Sequence, residues 1–496
     1  MSYLDLLRLA APEGIIVLVA LAVLTIGLTS AHARNLPAVI AGSGILLAIF
    51  TAARLPQHGD LFHGMLVMSP LNSLFKIICL ALAFATLPVA ASEKSLRNPG
   101  EYLALLLLAT VGLLLLVGSE ELLMIFIGLE LLGLSLYVMA AFDKTDLRAA
   151  EAGLKYFLFG STSSAFTLFG ISLVYGMSGT TALALIGAKI AAGTVQPLLA
   201  AGIVLTLIGF AFKIAAAPFH LWAPDAYQGA PIPSAAFIAS GSKVAAFVVL
   251  GKIVLTGFGS AHGKADWHGM IAGWSPILAA LAAFSILLGN FVALAQNNVR
   301  RLLAYSAVAH AGYTLLGLVA GGRDGFSATL FYTTIYAVTL VGAFSVVGLV
   351  QRQTGGDNFR DFAGLASRSP LAAGCMAVFM LSLAGLPPLA GFFGKFYLFS
   401  AAFRAGGNHG LLWLVIVALF GSFLSLYYYL SVLKVIFVDK SPEAAQSVAP
   451  RSSSEAGLSF TSDWVASATI AILAATVLLL GVLPGTLAGL IEKSVP

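Results

Sequence analysis

Apolar runs of near-spanning length recur along this 496-residue chain from end to end. A helix needs about 20 apolar residues to cross the hydrocarbon core of a bilayer, so the runs read as transmembrane helices. Composition agrees. Residues are 59% hydrophobic and only 9% charged, with a mean hydropathy of +0.97. Soluble domains carry roughly 25% charged residues, and there is too little charge here to cover a water-facing surface. No stretch between the runs is long enough for a separate soluble domain, so residues 1–496 read as a single membrane domain.

Gly, Pro and charge divide the chain into about fourteen spans. The expected class is an all-α, polytopic integral membrane protein. Spans one to three occupy about 13–91, the next five 99–257, a further five 273–438, and the final span 463–490. Segment 181–193 is too short to cross and is expected to lie sideways. At the N-terminus Arg8, the run Gly14–Thr29 and Ala31-His32-Ala33 imitate a signal peptide. The length of that run and the flanking Asp5 and Glu13 favour a retained span. Loops after odd-numbered spans hold more Lys and Arg (Arg34, Lys94, Lys144, Arg148, Arg300 and Arg301 among them) than the opposite loops, where Arg54, Lys252 and Arg323 fall. The positive-inside rule then places both termini outside the cytoplasm. Stretch 440–462, rich in Ser and Ala, reads as a cytoplasmic linker.

Five lysines remain inside spans: Lys76, Lys155, Lys213, Lys243 and Lys395. A charge at the bilayer centre costs about 2.5–3.5 kcal/mol, and five of them on the order of 12–17 kcal/mol. Such groups must face a polar interior, pair, or lose their charge. Counting about 1.5 Å per residue from the span starts brings Glu130, Lys243 and His310 to similar depth near the midplane. Lys76, near the start of its span, is expected to snorkel. Lys155 follows Glu151 at the favourable i,i+4 spacing, so that pair also reads as local structure. His310 alone would be a core histidine, and its neighbours in depth favour a functional one. Span seven contains Pro218 and His220 after Lys213, and span twelve contains Pro387 and Pro388 before Lys395. Proline frees backbone groups, which survive at membrane depth only beside protein or water. Each break is therefore expected to mark a hydrated pocket with a lysine beside it. Paired broken helices five spans apart point to a transport path between two inverted five-helix repeats.

The scattered basic residues do not form a nucleic-acid face. Cys79 and Cys375 are too few for an iron–sulfur cluster and read as buried thiols, and no dinucleotide or P-loop fingerprint is present.

Several runs carry a resemblance. They are Gly209-Phe210-Ala211-Phe212-Lys213, then Pro218-Phe219-His220-Leu221-Trp222-Ala223-Pro224-Asp225-Ala226-Tyr227-Gln228-Gly229-Ala230-Pro231, then Gly241-Ser242-Lys243. Further ones are Gln296-Asn297-Asn298-Val299-Arg300-Arg301-Leu302-Leu303-Ala304-Tyr305-Ser306, His310-Ala311-Gly312-Tyr313 and Gly391-Phe392-Phe393-Gly394-Lys395-Phe396-Tyr397. Over nearly its whole length the chain resembles the antiporter-like membrane subunits of respiratory complex I, the proton-pumping NADH:quinone oxidoreductase, and among them the N type. Lys395 stands where the M type has glutamate, and the long C-terminal extension of the L type does not follow span fourteen. The resemblance implies proton translocation through Glu130 and its broken-helix partner Lys213, with Lys155 modulating that pair, Lys243 at the channel centre and Lys395 near the exit. It implies no cofactor on this chain, with NADH, FMN, iron–sulfur clusters and quinone on partner subunits. It also implies other membrane-arm subunits and lipids as partners, and a bacterial cytoplasmic membrane with periplasmic termini. An Mrp-type cation/proton antiporter subunit or a hydrogenase-linked membrane subunit would share the fold and the Glu–Lys set. A passive scaffold of the membrane arm is an alternative of another class.

Overall fold

The computed structural model describes residues 8–29, 35–56, 58–61, 64–93, 95–406, 409–439 and 460–495. The helices are α1 (Ala11–Thr29), α2 (Leu36–Ala53), α3 (Pro70–Ser92), α4 (Pro99–Gly118), α5 (Leu122–Ala140), α6 (Leu147–Ser178), α7 (Leu183–Ala191), α8 (Pro197–Lys213), α9 (Ala223–Gly229), α10 (Ile232–Ala239) and α11 (Gly241–Lys252). They continue as α12 (Trp274–Leu294), α13 (Val299–Ala320), α14 (Gly322–Thr354), α15 (Pro370–Ala384), α16 (Ala390–Arg404), α17 (Leu412–Phe437), α18 (Phe460–Val482) and α19 (Pro484–Ser494). Twelve spans among the described residues are long and apolar enough to cross a membrane, α10 and α11 counting as one with the π-helical turn that follows. The other two of the expected fourteen are the broken ones, α8 with α9 and α15 with α16.

Local chemistry sets many of the ends. Proline opens α3, α4, α8, α15 and α19, where its missing N–H costs nothing. Asp146 caps α6 by accepting from the Arg148 N–H at 2.8 Å, and Asn298 caps α13 by accepting from Arg301 N–H at 3.1 Å. Gly179 closes α6 in the left-handed region at φ 69°, where a side chain would be strained.

Burial sorts the spans into layers. Helices α10–α11, α13 and α14 have 94% of their residues enclosed, against 28% for α1. The enclosed α13 has a mean hydropathy of 1.5 and the peripheral α1 one of 2.2. Several helix pairs approach closely through small residues, α4 with α5 and α12 with α13 among them. A Cβ on Gly112 of α4 would lie 2.7 Å from Leu132 N of α5, and Gly128 faces back onto α4. A Cβ on Gly289 of α12 would lie 2.5 Å from Ala309 N of α13, and Gly312 faces back onto α12. Such contacts drive helix association in lipid, where apolar burial does not. Gly289→Val is expected to pry α12 from α13 and cost about 1–3 kcal/mol, read as a lower melting temperature of the detergent-solubilised protein.

Several expectations need correction. Lys76 does not snorkel: it is fully buried on α3 and pairs with Glu13 of α1 at 2.7 Å. Its stem starts in the first turns of α3, but α1 and α4 close over it. Arg300 and Lys252, placed in loops by the sequence, are also buried. Arg300 donates to the carbonyls of Tyr227 (2.8 Å) and Ala230, holding the end of α9, with Asp357 at 3.6 Å. Span eight is kinked at Ser240, between α10 and α11, and ends in a π-helical turn, Ile253–Gly257. A two-stranded antiparallel hairpin, β1 (Gly59–Leu61) with β2 (Leu66–Met68), adds to the helices. Short α7 packs on the π-helical turn through Leu183, Ile186 and Ile190, its buried face. Residues 440–459, Ala31–Ala33, Arg34 and Lys94 lie outside the described residues.

Candidate functional site

The first break positions Lys213 at the last turn of α8. Residues 214–222 leave helical geometry, and Ala215 has φ 57°. The backbone groups freed around Pro218 are met by side chains. Trp222 Nε1 donates to the Phe212 carbonyl at 3.1 Å, and Ala217 N–H donates to Ser285 Oγ at 2.8 Å. Trp222 is held by stacking on Tyr156 of α6, with ring centroids 4.2 Å apart. His220 is buried edge-on to Tyr305. Glu130, Lys213, Ser163, Ser164 and Tyr137 line one small cavity of about 20 Å³, room for a single water molecule. Glu130 accepts a hydrogen bond from Ser164. It makes no direct ion pair with Lys213, so the two charges face each other across the cavity.

The second break is built differently. The Lys395 stem folds back from α16, and its Nζ donates to the Ala384 carbonyl at the end of α15 (2.9 Å) and to Ser422 Oγ of α17 (2.9 Å). Here the lysine itself satisfies the freed carbonyl, where a positive charge also suits the helix C-terminus.

Between the breaks runs a row of buried polar groups. Lys243 Nζ donates to the Ala307 carbonyl of α13 at 2.9 Å and lies 5.5 Å from the ring centre of Tyr336. His310, one turn further along α13, lies 5.0 Å from Tyr336 between ring centroids, with the rings tilted by 34°. Its Nδ1 meets Tyr332 Oη at 2.6 Å, and its Nε2 meets Tyr429 Oη at 3.0 Å. A neutral imidazole has one donor and one acceptor, so the two phenols take opposite roles, and a proton arriving on one side can leave on the other. Tyr313 sits 5.6 Å from His310 between ring centroids, and Lys395 Nζ sits 5.1 Å from the Tyr313 ring. Tyr313 accepts from Asn290, which accepts in turn from Tyr428. Among the described residues the buried hydroxyls of Tyr156, Tyr227 and Tyr336 have no hydrogen-bond partner, and water can serve such groups.

Nothing in the sequence singles out Tyr332, Tyr336, Tyr428 and Tyr429, and Tyr313 appears there only within the run His310-Ala311-Gly312-Tyr313. Tyr332 and Tyr336 share a face of α14 at i,i+4 spacing, a weak signal in an aromatic-rich chain.

Lys155 does not line the Glu130 cavity. It joins a half-exposed ion cluster in which its Nζ lies 2.6 Å from Glu151 and 2.7 Å from Asp225, while Asp225 also receives Arg301 at 2.7 Å. The cluster ties α6 to α9 and α13.

Residues 119–425 match the family described as NADH:quinone oxidoreductase/Mrp antiporter, transmembrane. The chain belongs to that family. Within it, the chain is of the subunit N type: it is 44% identical to NADH-quinone oxidoreductase subunit N 2 of Acidobacterium capsulatum, over 98% of both chains. A chain of respiratory complex I from Thermus thermophilus superposes with a TM-score of 0.77 at 31% identity, covering 96% of this chain and 98% of that one. A chain of the Mrp complex from Dietzia sp. superposes with a TM-score of 0.82 at 19% identity, covering 99% and 97%. The shared fold does not separate the two branches of this antiporter-like family, and sequence identity does.

Proposed function

We propose that this chain carries protons across a bacterial cytoplasmic membrane as the subunit N element of the membrane arm of NADH:quinone oxidoreductase. Its channel residues are Glu130, Lys213, Lys243, His310 and Lys395. NADH oxidation and quinone reduction, with FMN and iron–sulfur clusters, belong to partner subunits. Residues 99–257 and 273–438 act as the two inverted repeats around the path, and the termini face the periplasm. Lys155, with Glu151, acts on the Glu130–Lys213 pair only through its field, from the Asp225 cluster.

The observation that carries this reading is the buried row Lys243–His310–Lys395, bridged by phenols across three helices. Buried amines are costly when charged and change state with their neighbours. Two unit charges about 7 Å apart at an effective dielectric near 20 interact by roughly 2.4 kcal/mol. Approach or withdrawal of Glu130 therefore suffices to switch a proton on Lys213, which passes it inward. A break of the helix beside the lysine gives the site its freedom to move.

The test uses assembled complexes in proteoliposomes. Glu130→Gln and Lys213→Ala are each expected to lower the protons ejected per electron pair, by the same share, because paired groups act as a unit. Full stoichiometry in both variants would return the chain to the role of a scaffold.

A further inference from the structure

A second set of buried charges lies away from the channel row, and the proposed function does not use it. Lys252 ends α11 with its side chain 6% exposed. Its three ammonium protons find three neutral oxygens: Asn72 Oδ1 at 2.5 Å, the Val117 carbonyl at 2.7 Å and the Ser119 carbonyl at 3.4 Å. Its carboxylate neighbour, Glu120, stands off at 4.0 Å. On the other side of Gly118 is a second ammonium. A Cβ on Gly118 would lie 3.1 Å from Lys76 Nζ, and Lys76 in turn pairs with Glu13 at 2.7 Å with no other hydrogen-bond partner for either group. Two buried cations thus meet at one glycine, each with its own carboxylate neighbour, Glu120 for Lys252 and Glu13 for Lys76.

This row opens to water at one end. A cavity of about 1140 Å³ reaches Lys252 and Glu120, and its wall also carries His58, Asp60, His262, Arg323 and Lys493. All these residues belong to the face that carries the start of α1 and the end of α19. The wall includes Leu255 and Thr256 in the π-helical turn that begins one residue after Lys252, and such irregular turns concentrate at functional sites. The other end of the row is α1, at the edge of the bundle. A lysine that served only to clamp α3, α4 and α11 together would not need a second ammonium across a glycine, since like charges raise each other's energy.

We propose that the cavity is an aqueous vestibule through which Lys252 exchanges protons with the terminus-bearing face, and that its charge is read by the Lys76–Glu13 pair on the α1 edge. In this step the Lys252 ammonium gives a proton to cavity water and keeps the lone pair as an amine. The reverse step restores the ammonium. With Lys252 neutral, the repulsion on Lys76 is gone and the Lys76–Glu13 pair tightens. The inference rests on the proton-pumping reading above and adds a second ionisable row to it.

Two measurements on the assembled complex in sealed proteoliposomes test it. Thr256→Cys is treated with a membrane-impermeant, positively charged thiol reagent, against the background of buried Cys79 and Cys375. Modification from the terminus-bearing face is expected, and no modification from either face would overturn the vestibule. Lys252→Met and Lys252→Arg are then compared with Lys243→Met for protons ejected per electron pair. Arginine keeps the charge and the clamp but does not release a proton. The expected result is that Lys252→Arg loses as much pumping as Lys252→Met, in complexes that assemble normally. Full pumping by Lys252→Arg would make Lys252 a fixed clamp and sink the exchange site. Full pumping by Lys243→Met would instead count against the channel row, whatever Lys252 does.

Discussion

Lys243→Met is expected to slow proton transfer through this chain on the order of 10²-fold, the usual loss when a positioned acid–base group is removed. The reason is its place. Lys243 is the amine held on α13 one turn from His310, beside the Tyr336 ring, with α8 and its Lys213 packed against the same helix α11. Lys243→Arg separates charge from proton transfer. A guanidinium satisfies the Ala307 carbonyl and keeps the positive field, yet it does not deprotonate in proteins. Proton ejection per electron pair is therefore expected to fall as far in Lys243→Arg as in Lys243→Met. Restored pumping in the arginine variant would assign Lys243 a purely electrostatic role.

Glu13→Ala is expected to destabilise the protein by about 3–5 kcal/mol, the cost of stranding one member of a buried ion pair. Lys76 is fully enclosed, and Glu13 is its one partner among the described residues. The double variant Glu13→Ala with Lys76→Met is expected to recover most of the loss, because a buried pair exchanged for apolar side chains is often neutral. Melting temperatures of the solubilised complex across the four members of the double-mutant cycle give the coupling. A single variant as stable as the parent would show that Lys76 finds another partner or water.

Much of the site was legible because its signals are local. Lysine in an apolar run and proline beside it are visible in a window of ten residues, so Lys213 and Lys395 stood out with their breaks, and Lys243 by its depth along its span. The same logic misplaced Lys76 and Lys252. Both lie near helix ends, where the sequence offers an easy escape to water, but α1 and α4 close over Lys76, and Lys252 turns its ammonium onto oxygens of Asn72, Val117 and Ser119. The tyrosines around His310 carry no hydropathy signal at all, and they matter only because α13, α14 and α17 bring them to one imidazole.

The membrane class, the number of spans and the location of the two broken helices follow from the sequence by itself, since run length and proline act within one helix. The pairing of the polar groups is a tertiary decision. Lys252 takes its amide oxygen from a residue 180 positions away, and His310 meets a phenol 119 positions away. Hydropathy weighs each helix against lipid, whereas a buried charge is settled by the oxygens, carboxylates and rings on the helices facing it. Only their packing places those.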